Sequence, residues 1–429
     1  MLSRTVEDAS GSATNGLADL RGAFLAQQNY NASNSRIRLC LAIASLGTLA
    51  NADQESGLVQ NSPDNYSLPL VIKQLIQFAH HDSTFHGIVG FPYSTQSQEA
   101  ITTFQAWPFT SLPVISPSAS GDQLSAIKNF YRIVSPDRSQ SKIMAQFFCS
   151  SLLRNQTSIA IDIFTDTPDA YSQSLQIGFE DNLKQCQNKS IRIEHDAYKN
   201  SDAASIQQAA DNAVMKGVNY IFFPGYNTGL DTLETQLQID QHSSSKISIL
   251  GGDGLYDTID VTHYSFSPIY ATIFASPLTS DSSLNPSANQ AVVQKFMRGY
   301  ISNKFPLPYL ANSIPSYTLF PPHAILSYDA TTAYTEAAKN FQTANFTQND
   351  FNKALSSVSF YGVSGYVILQ GKGTEPTHTS DPNAGYVYIM CTDRAHTIHL
   401  IAQYESINTD GANINQILPR QGEPKNLCS

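Results

Sequence analysis

The chain has 429 residues, 25 Lys plus Arg against 35 Asp plus Glu, and a formal net charge of −10. Only 14% of the residues are charged, against about 25% in ordinary soluble domains. An acidic chain without a basic cluster is a poor nucleic-acid partner, because phosphate neutralisation needs Lys and Arg gathered on one face. With 22 Phe and 21 Tyr the chain can bury a core, which argues against disorder.

The opening residues lack the basic-then-apolar pattern of a secretory leader, so the segment reads either as cytoplasmic or as a mature form. The longest apolar stretch, Leu39 to Ala50, is too short to span a bilayer, which takes about 20 residues. Ile37 to Ala44 reads as a strand. Residues 66–80 place Ile72, Leu75, Ile76 and Ala79 on one helical face. Strand 87–91, helix 96–110 and strand 112–116 follow.

A strand at 131–135 runs into Ser-Pro-Asp, where the alternation breaks; the chain is expected to cross there from one α/β lobe to another. Beyond it come helix 139–153, strand 158–164, helix 170–186, strand 191–195, helix 202–216, strand 219–225 and strand 246–252. Strands alternating with such helices mean βαβ units and a parallel sheet. The unbroken apolar runs SIAIDIF and YIFF suit strands covered on both faces. Residues 263–277 read as β-rich, 278–286 as a polar loop, 287–303 and 323–341 as helices. Strands 365–369, 385–391 and 396–404 end the pattern, the last two as an antiparallel pair, and the tail from about 405 reads as weakly structured.

No nucleophile elbow and no zinc helix is present. Residues 365–373 approach a P-loop, but the spacing is one residue too long and Gly373 follows Lys372 where a hydroxyl should hold magnesium. The five cysteines form no CxxC pair, so neither a metal nor a cofactor is expected. They read as buried thiols, or as Cys149–Cys186 and Cys391–Cys428 disulfides in an oxidising compartment.

Polar residues at the carboxyl ends of strands stand out, because open α/β sheets bind ligands there. Tyr93 and Ser94 follow one strand; Ser118, Ala119 and Ser120 follow the next. Tyr171, Tyr226 and Asp253 follow three later ones. Hydroxyls and free N–H groups at a helix N-terminus suit a carboxylate, a lone acid suits an ammonium, and Tyr supplies a flat wall with a polar edge.

Several blocks come in a fixed order: SGSATNGLADLRGAFLAQQNYN (10–31), IRLCLAIASLG, GIVGFPYSTQSQEA with LPVISPSASGDQLS, YRIVSPDRSQSKIMAQFF, IDIFTDTPDAYSQSLQIGFEDNL, YIFFPGYNTG, ILGGDGLYD, HAILSYDATTAYTEAAK and FYGVSGYVILQGKG. Together they resemble type I periplasmic solute-binding proteins of the branched-chain amino-acid transport class, over about residues 9–370. The resemblance implies an α/β protein of two Rossmann-like three-layer lobes joined by a three-crossing hinge, closing over a ligand in the cleft. It places residues 1–133 and 265–342 in the first lobe, 134–264 and 343–404 in the second, and 405–429 in a C-terminal tail.

By the same resemblance, Ser94, the backbone at Ser118 and the Ser120 hydroxyl take a ligand carboxylate, Tyr171 and Tyr226 close over the ligand, and Asp253 pairs with an α-ammonium. Asn15 stands where the family has an aromatic, and Asp253 is one methylene shorter than the family's Glu. The family's first strand should precede residue 10, where MLSRTVED is a poor strand. The function implied is extracytoplasmic capture of an amino acid or related small polar ligand for an ABC-transporter permease, with no nucleic-acid partner. The alternative is a sensory ligand-binding region fused to, or acting with, a signalling module. An enzyme is disfavoured by the missing nucleophile–base pair and metal cluster.

Overall fold

The computed structural model describes residues 2–3, 11–33, 36–45, 68–91, 93–105, 112–125, 127–154, 156, 158–166, 168–184, 186, 190–240, 247–255, 267–275, 290–305, 320–343, 345–369, 384–392, 398–407 and 413–419. The polar loop 278–286 and the P-loop-like glycines at 371 and 373 lie outside these residues.

The first strand is present. β1 (Leu2–Ser3) precedes the long helix α1 (Gly11–Asn31) and pairs in parallel with β2 (Ala44–Ser45). The expected strand Ile37–Ala44 is correspondingly short, residues 38–43 being irregular. Helix α2 (Leu68–His81), strand β3 (Ile88–Val89), helix α3 (Ser94–Gln105), strand β4 (Val114–Ser116) and strand β5 (Phe130–Arg132) follow. β3, β4 and β5 form a parallel three-stranded sheet. Strand alternation divides its side chains between two faces. Ile88, Val114 and Phe130 pack with Ile72, Ile76 and Phe104 of α2 and α3. Val89, Ile115 and Tyr131 face the opposite way, into the largest core cluster.

The chain then leaves this sheet at Ser135-Pro136, as the broken alternation implied. Helix α4 (Asp137–Phe147) runs on through a π-helical turn at Phe148–Leu152. Next come β6 (Ser158–Asp166), α5 (Ala170–Leu183), β7 (Ser190–Tyr198), α6 (Ala203–Met215), β8 (Tyr220–Phe223), α7 (Asn227–Asp240), β9 (Ser248–Gly251) and β10 (Ile269–Ile273). β6 shows why SIAIDIF lacks polar alternation. Ile159, Ile161 and Ile163 pack toward α4 and α5, while Ala160 and Phe164 pack toward α6 and α7.

Helices α8 (Gln290–Ser302), α9 (Pro322–Ala338) and α10 (Gln348–Leu355) precede strands β11 (Ser359–Tyr361), β12 (Tyr366–Ile368), β13 (Ala384–Thr392), β14 (Ile398–Ile407) and β15 (Asn413–Pro419). α9 lies along α1, which Gly22 permits: a Cβ there would stand 2.0 Å from the Ala324 carbonyl oxygen. The large sheet has the order β15-β14-β13-β10-β9-β8-β6-β7, parallel from β7 to β10 and antiparallel from β13 outward. The result is two α/β lobes with three passages of chain between them: β5 to β6, β10 to α8, and β12 to β13.

Three expectations are corrected. Residues 269–273, assigned to the first lobe with 265–342, form β10 inside the second sheet; all five are buried there, as their apolar run demands. α10, assigned to the second lobe with 343–404, packs on the first: Phe351 stacks on Tyr334 at 5.7 Å, and the Tyr131 hydroxyl donates to Asn352 Oδ1 at 2.7 Å. The described part of the tail, expected to be weakly structured, is strand: β14 runs to Ile407 and β15 pairs with it.

The passage back to the second lobe is pinned by a buried acid. Asp329 of α9 accepts hydrogen bonds from the Val363 N–H (2.9 Å), the Ser364 N–H (2.7 Å) and the Ser364 hydroxyl (2.6 Å) in the turn between β11 and β12. Burial nevertheless raises its pKa to about 6.

Cys149 and Cys186 form one of the two expected disulfides, joining the ends of α4 and α5. Cys391 is also disulfide-bonded; its expected partner Cys428 lies outside the described residues, and Cys40 is free and exposed. Loop-closure entropy over the 37 residues between Cys149 and Cys186 stabilises the fold by about 4 kcal/mol. The double variant Cys149→Ser, Cys186→Ser is expected to lose about that much in urea denaturation; a loss below about 1 kcal/mol would show that native strain cancels the bond.

Candidate functional site

The first-lobe half of the site is the strand-end region of β3 and β4. Phe91, two residues past β3, lies in the left-handed region at φ 56°, a conformation a bulky side chain adopts only under constraint. The constraint is visible: its carbonyl accepts from the hydroxyls of Ser97 and Ser116, both at 2.8 Å. This bend delivers Tyr93 and then Ser94, the first residue of α3. Ser94 is buried and its Oγ accepts the Gly121 N–H at 2.9 Å. The loop after β4 is thereby drawn against the start of α3, bringing Ser118, Ala119 and Ser120 beside Ser94. The Ala119 N–H is taken by the Ser116 hydroxyl at 2.9 Å.

Beneath this loop lies Arg132, fully buried on β5. Its guanidinium donates to the Gly121 carbonyl at 2.8 Å and to Ser125 Oγ at 2.7 Å. Thr95 Oγ1 and Gln96 Oε1, in the first turn of α3, are buried without a hydrogen-bond partner. Buried polar atoms left open in this way are where a ligand or water completes the set.

The second-lobe half is built around Asp253, after β9. Asp253 Oδ1 accepts from the Tyr171 hydroxyl at 2.9 Å and from Gln140 Nε2 at 3.0 Å. Gly252 makes the approach feasible, because a Cβ there would lie 2.3 Å from the Tyr171 hydroxyl and 2.9 Å from Gln140 Oε1. Tyr226 stacks on Tyr171 with centroids 5.3 Å apart, and its hydroxyl donates to Asp169 at 3.2 Å. From the other lobe, Tyr93 meets the Tyr226 ring edge-on at 6.1 Å. The two halves therefore face each other across an aromatic contact.

Asn15 is half-buried, one turn before Asp19 on the same side of α1. Asp19 lies 3.7 Å from His323, and the charge of His323 is felt at Asp253. Tyr93, Tyr171, Tyr226 and Asp253 are brought into contact, Ser94 is tied to the loop of Ser118–Ser120, and Asn15 is placed on α1.

Two residues escaped the strand-end reading. Asp137 and Gln140 lie on the first turn of α4, where the chain enters the second lobe. Asp137 is fully buried and accepts from the Ser174 hydroxyl. Burial, then the charges of Asp122 and Asp253, push its pKa well above the usual carboxylate range, and the hydroxyls of Ser174 and Ser120 oppose that push only in part. Burial also raises Asp253, to about 6, against the stabilising hydrogen bonds from Gln140 and Tyr171. The signal available in the sequence was the Ser-Pro-Asp helix start, with a Gln three residues on.

Among the described residues no cluster of three or more His, Cys, Asp or Glu is placed to hold a metal, and no helix is long and apolar enough to cross a membrane. What the cleft offers is hydroxyls and a helix start on one wall, and a carboxylate with aromatic rings on the other.

Solved structures share this fold. The leucine-binding protein LivK from Thermotoga maritima matches with a TM-score of 0.69 at 15% identity, over 95% of this chain and 98% of that one. The fold is that of a type I periplasmic binding protein. LivJ from Streptococcus pneumoniae, in complex with isoleucine, shares it at TM-score 0.62 and 18% identity, over 91% of this chain and 95% of its own. So does a Rhodopseudomonas palustris BisB5 solute-binding protein in complex with 3,4-dihydroxybenzoic acid, at TM-score 0.65 and 13% identity, over 96% and 98% of the two chains. No family model and no curated protein matches the sequence. All three neighbours bind small molecules, and the periplasmic-binding-protein lobes account for the three chain passages.

Proposed function

We propose that this chain is an extracytoplasmic solute-binding protein that captures an α-amino acid, or a close amine-bearing relative, for uptake through an ABC-type permease. The observation that carries the reading is Asp253, held by Tyr171 and Gln140; we read the loop of Ser94 and Ser118–Ser120 as the opposite, carboxylate-binding wall. The neighbours' ligands, isoleucine and dihydroxybenzoic acid, both carry a carboxylate. Of the two, only isoleucine carries an ammonium, which offers the half-buried Asp253 carboxylate an opposite charge as well as hydrogen bonds, whereas the dihydroxybenzoate offers hydroxyl donors alone. A ligand gripped by both walls binds the closed form better than the open one, so binding itself drives closure. The Cys149–Cys186 disulfide supports an oxidising compartment.

The test is a thermal-shift screen of leucine, isoleucine, their amides, benzoate and 3,4-dihydroxybenzoate, followed by calorimetry. Amino acids are expected to raise the melting temperature by mass action and benzoates to leave it unchanged. A shift with benzoates and none with any amine would overturn the assignment. In the same assay Ser94→Ala is expected to weaken a carboxylate ligand by about 10- to 100-fold, the worth of one hydrogen bond to a charged group, and to spare the matching amide. Equal losses for both would mean that Ser94 holds only the loop at Gly121.

A further inference from the structure

Gln140 makes four hydrogen bonds beside the cleft. Its amide oxygen accepts the backbone N–H of Asp253 at 2.7 Å and the Thr272 hydroxyl. Its amide nitrogen donates to Asp253 Oδ1 at 3.0 Å and to Asp137 Oδ1 at 3.4 Å. One side chain from α4 thus grips Asp253 at both its main chain and its carboxylate, while reaching the neighbouring acid and β10. Gln140 is itself fully buried, so these bonds are made without competition from water. Such two-point fixation orients a binding group in the way a second layer of hydrogen bonds orients a metal ligand.

Resting on the amino-acid reading above, we propose that Gln140 is the positioning residue of the ammonium site, holding the Asp253 carboxylate in place and in its charged form. The charges and titratable groups around Asp253 make such a residue necessary. On α4 stands Asp137, with Asp122 behind it. On α5 stands Tyr171, ahead of α7 stands Tyr226, and at the start of α9 stands His323. A fully buried carboxyl and a half-buried one bridged by one amide cannot both ionise cheaply. Among the described residues Asp137 accepts from the Ser174 hydroxyl and, by the longer bond, from Gln140. Asp253 has the shorter Gln140 bond and Tyr171 as well. The amide of Gln140 therefore favours the negative charge on Asp253, the acid beside the cleft, and leaves the proton on Asp137.

The role is read without any ligand. Melting curves of the ligand-free protein, from about pH 4.5 to about pH 8.5, are compared with and without Asp253→Asn, so that the difference isolates the Asp253 proton. The pair is then repeated in Gln140→Met, which keeps the volume and removes the hydrogen bonds. The Asp253 step is expected to move up by about one pH unit, and the pH at which leucine affinity falls off moves with it. Thr272→Val, which removes only the hydroxyl that fixes the Gln140 amide, moves the step in the same direction by less, and serves if Gln140→Met does not fold. A lower melting temperature with the Asp253 step unmoved would reduce Gln140 to a packing residue, as would an unmoved step in Thr272→Val. If the step moves but the wild-type protein binds no amine, the positioning role stands and the amino-acid reading fails.

Discussion

Asp253→Ala is expected to lower the affinity for any α-amino ligand by roughly 10²- to 10⁴-fold, as a buried ammonium left without its acid costs about 3–5 kcal/mol. Asp253→Asn separates the causes. Its amide oxygen still accepts from Tyr171 and Gln140, so the wall keeps its shape, but the charge is gone. Both variants are therefore expected to lose binding to similar degrees. Stability should not follow affinity. Burial penalises the charged Asp253 carboxylate in the empty cleft, so removing it is neutral or stabilising for the ligand-free protein near pH 8. Calorimetry with leucine and melting curves without it read the two effects apart. Affinity unchanged in both variants would leave the acid with no role in binding, and the benzoate-like reading would take its place.

Much of this site was legible in the sequence because a parallel sheet puts its ligands beyond the strand ends. GIVGF, LPVIS, SIAIDIF and YIFF could be read as strands from their unbroken apolar runs, and the residues just past them are the ones the fold gathers. What failed to show has physical causes. β1 and β2 pair over two residues each, too little for any periodicity. α7 opens on Asn-Thr-Gly, weak helix formers, although Leu230, Leu233 and Leu237 mark its buried side. α10 is eight residues long, and its signature is the capping box of Thr347 with Asp350 rather than an apolar stripe. β15 reads NINQILP, half polar, and is recognisable only by its pairing with β14.

The site shows the same limit. Asp137 and Gln140 look in sequence like any polar helix start, an exposed first turn with an acid complementing the helix dipole. Only the fold reveals that α4 begins inside the protein, under the crossing between lobes. There the acid is fully buried, and the amide becomes the link between Asp137 and Asp253. The 265 boundary failed for a related reason. IYATI is as apolar as any strand of the second sheet, and nothing local says which sheet it joins until β9 and β13 are seen on either side.

The ligand-free protein is expected to grow more stable as it is acidified from about pH 8 toward pH 4, against the usual behaviour of acidic proteins. Asp253 and Asp329 have folded pKa values of about 6 against an ordinary 3.8, and Asp162 about 7, each raised first by burial. A carboxyl with a raised folded pKa binds its proton more tightly in the native state. Its stabilisation is complete below the unfolded value and disappears as pH rises through the folded one. For Asp253 and Asp329 the difference is worth about 3 kcal/mol each. The exposed carboxylates Asp82 and Asp350 are held low by their Thr84 and Thr347 hydrogen bonds and act in the opposite sense only below the window in question; His86, held below its ordinary 6.5 by burial, opposes the trend inside it, one group against three. Asp253→Asn and Asp329→Asn should each flatten part of the curve. An amine ligand should act against the trend at Asp253 alone, because the complex needs that carboxylate charged. The melting-temperature rise given by leucine is therefore expected to grow from about pH 5 to about pH 8, while the ligand-free melting temperature falls. A ligand-free melting temperature that drops between pH 7 and pH 5 would mean that water reaches these acids and that the cleft floor is not dry; the single charge on which the amine reading depends would then lose its setting.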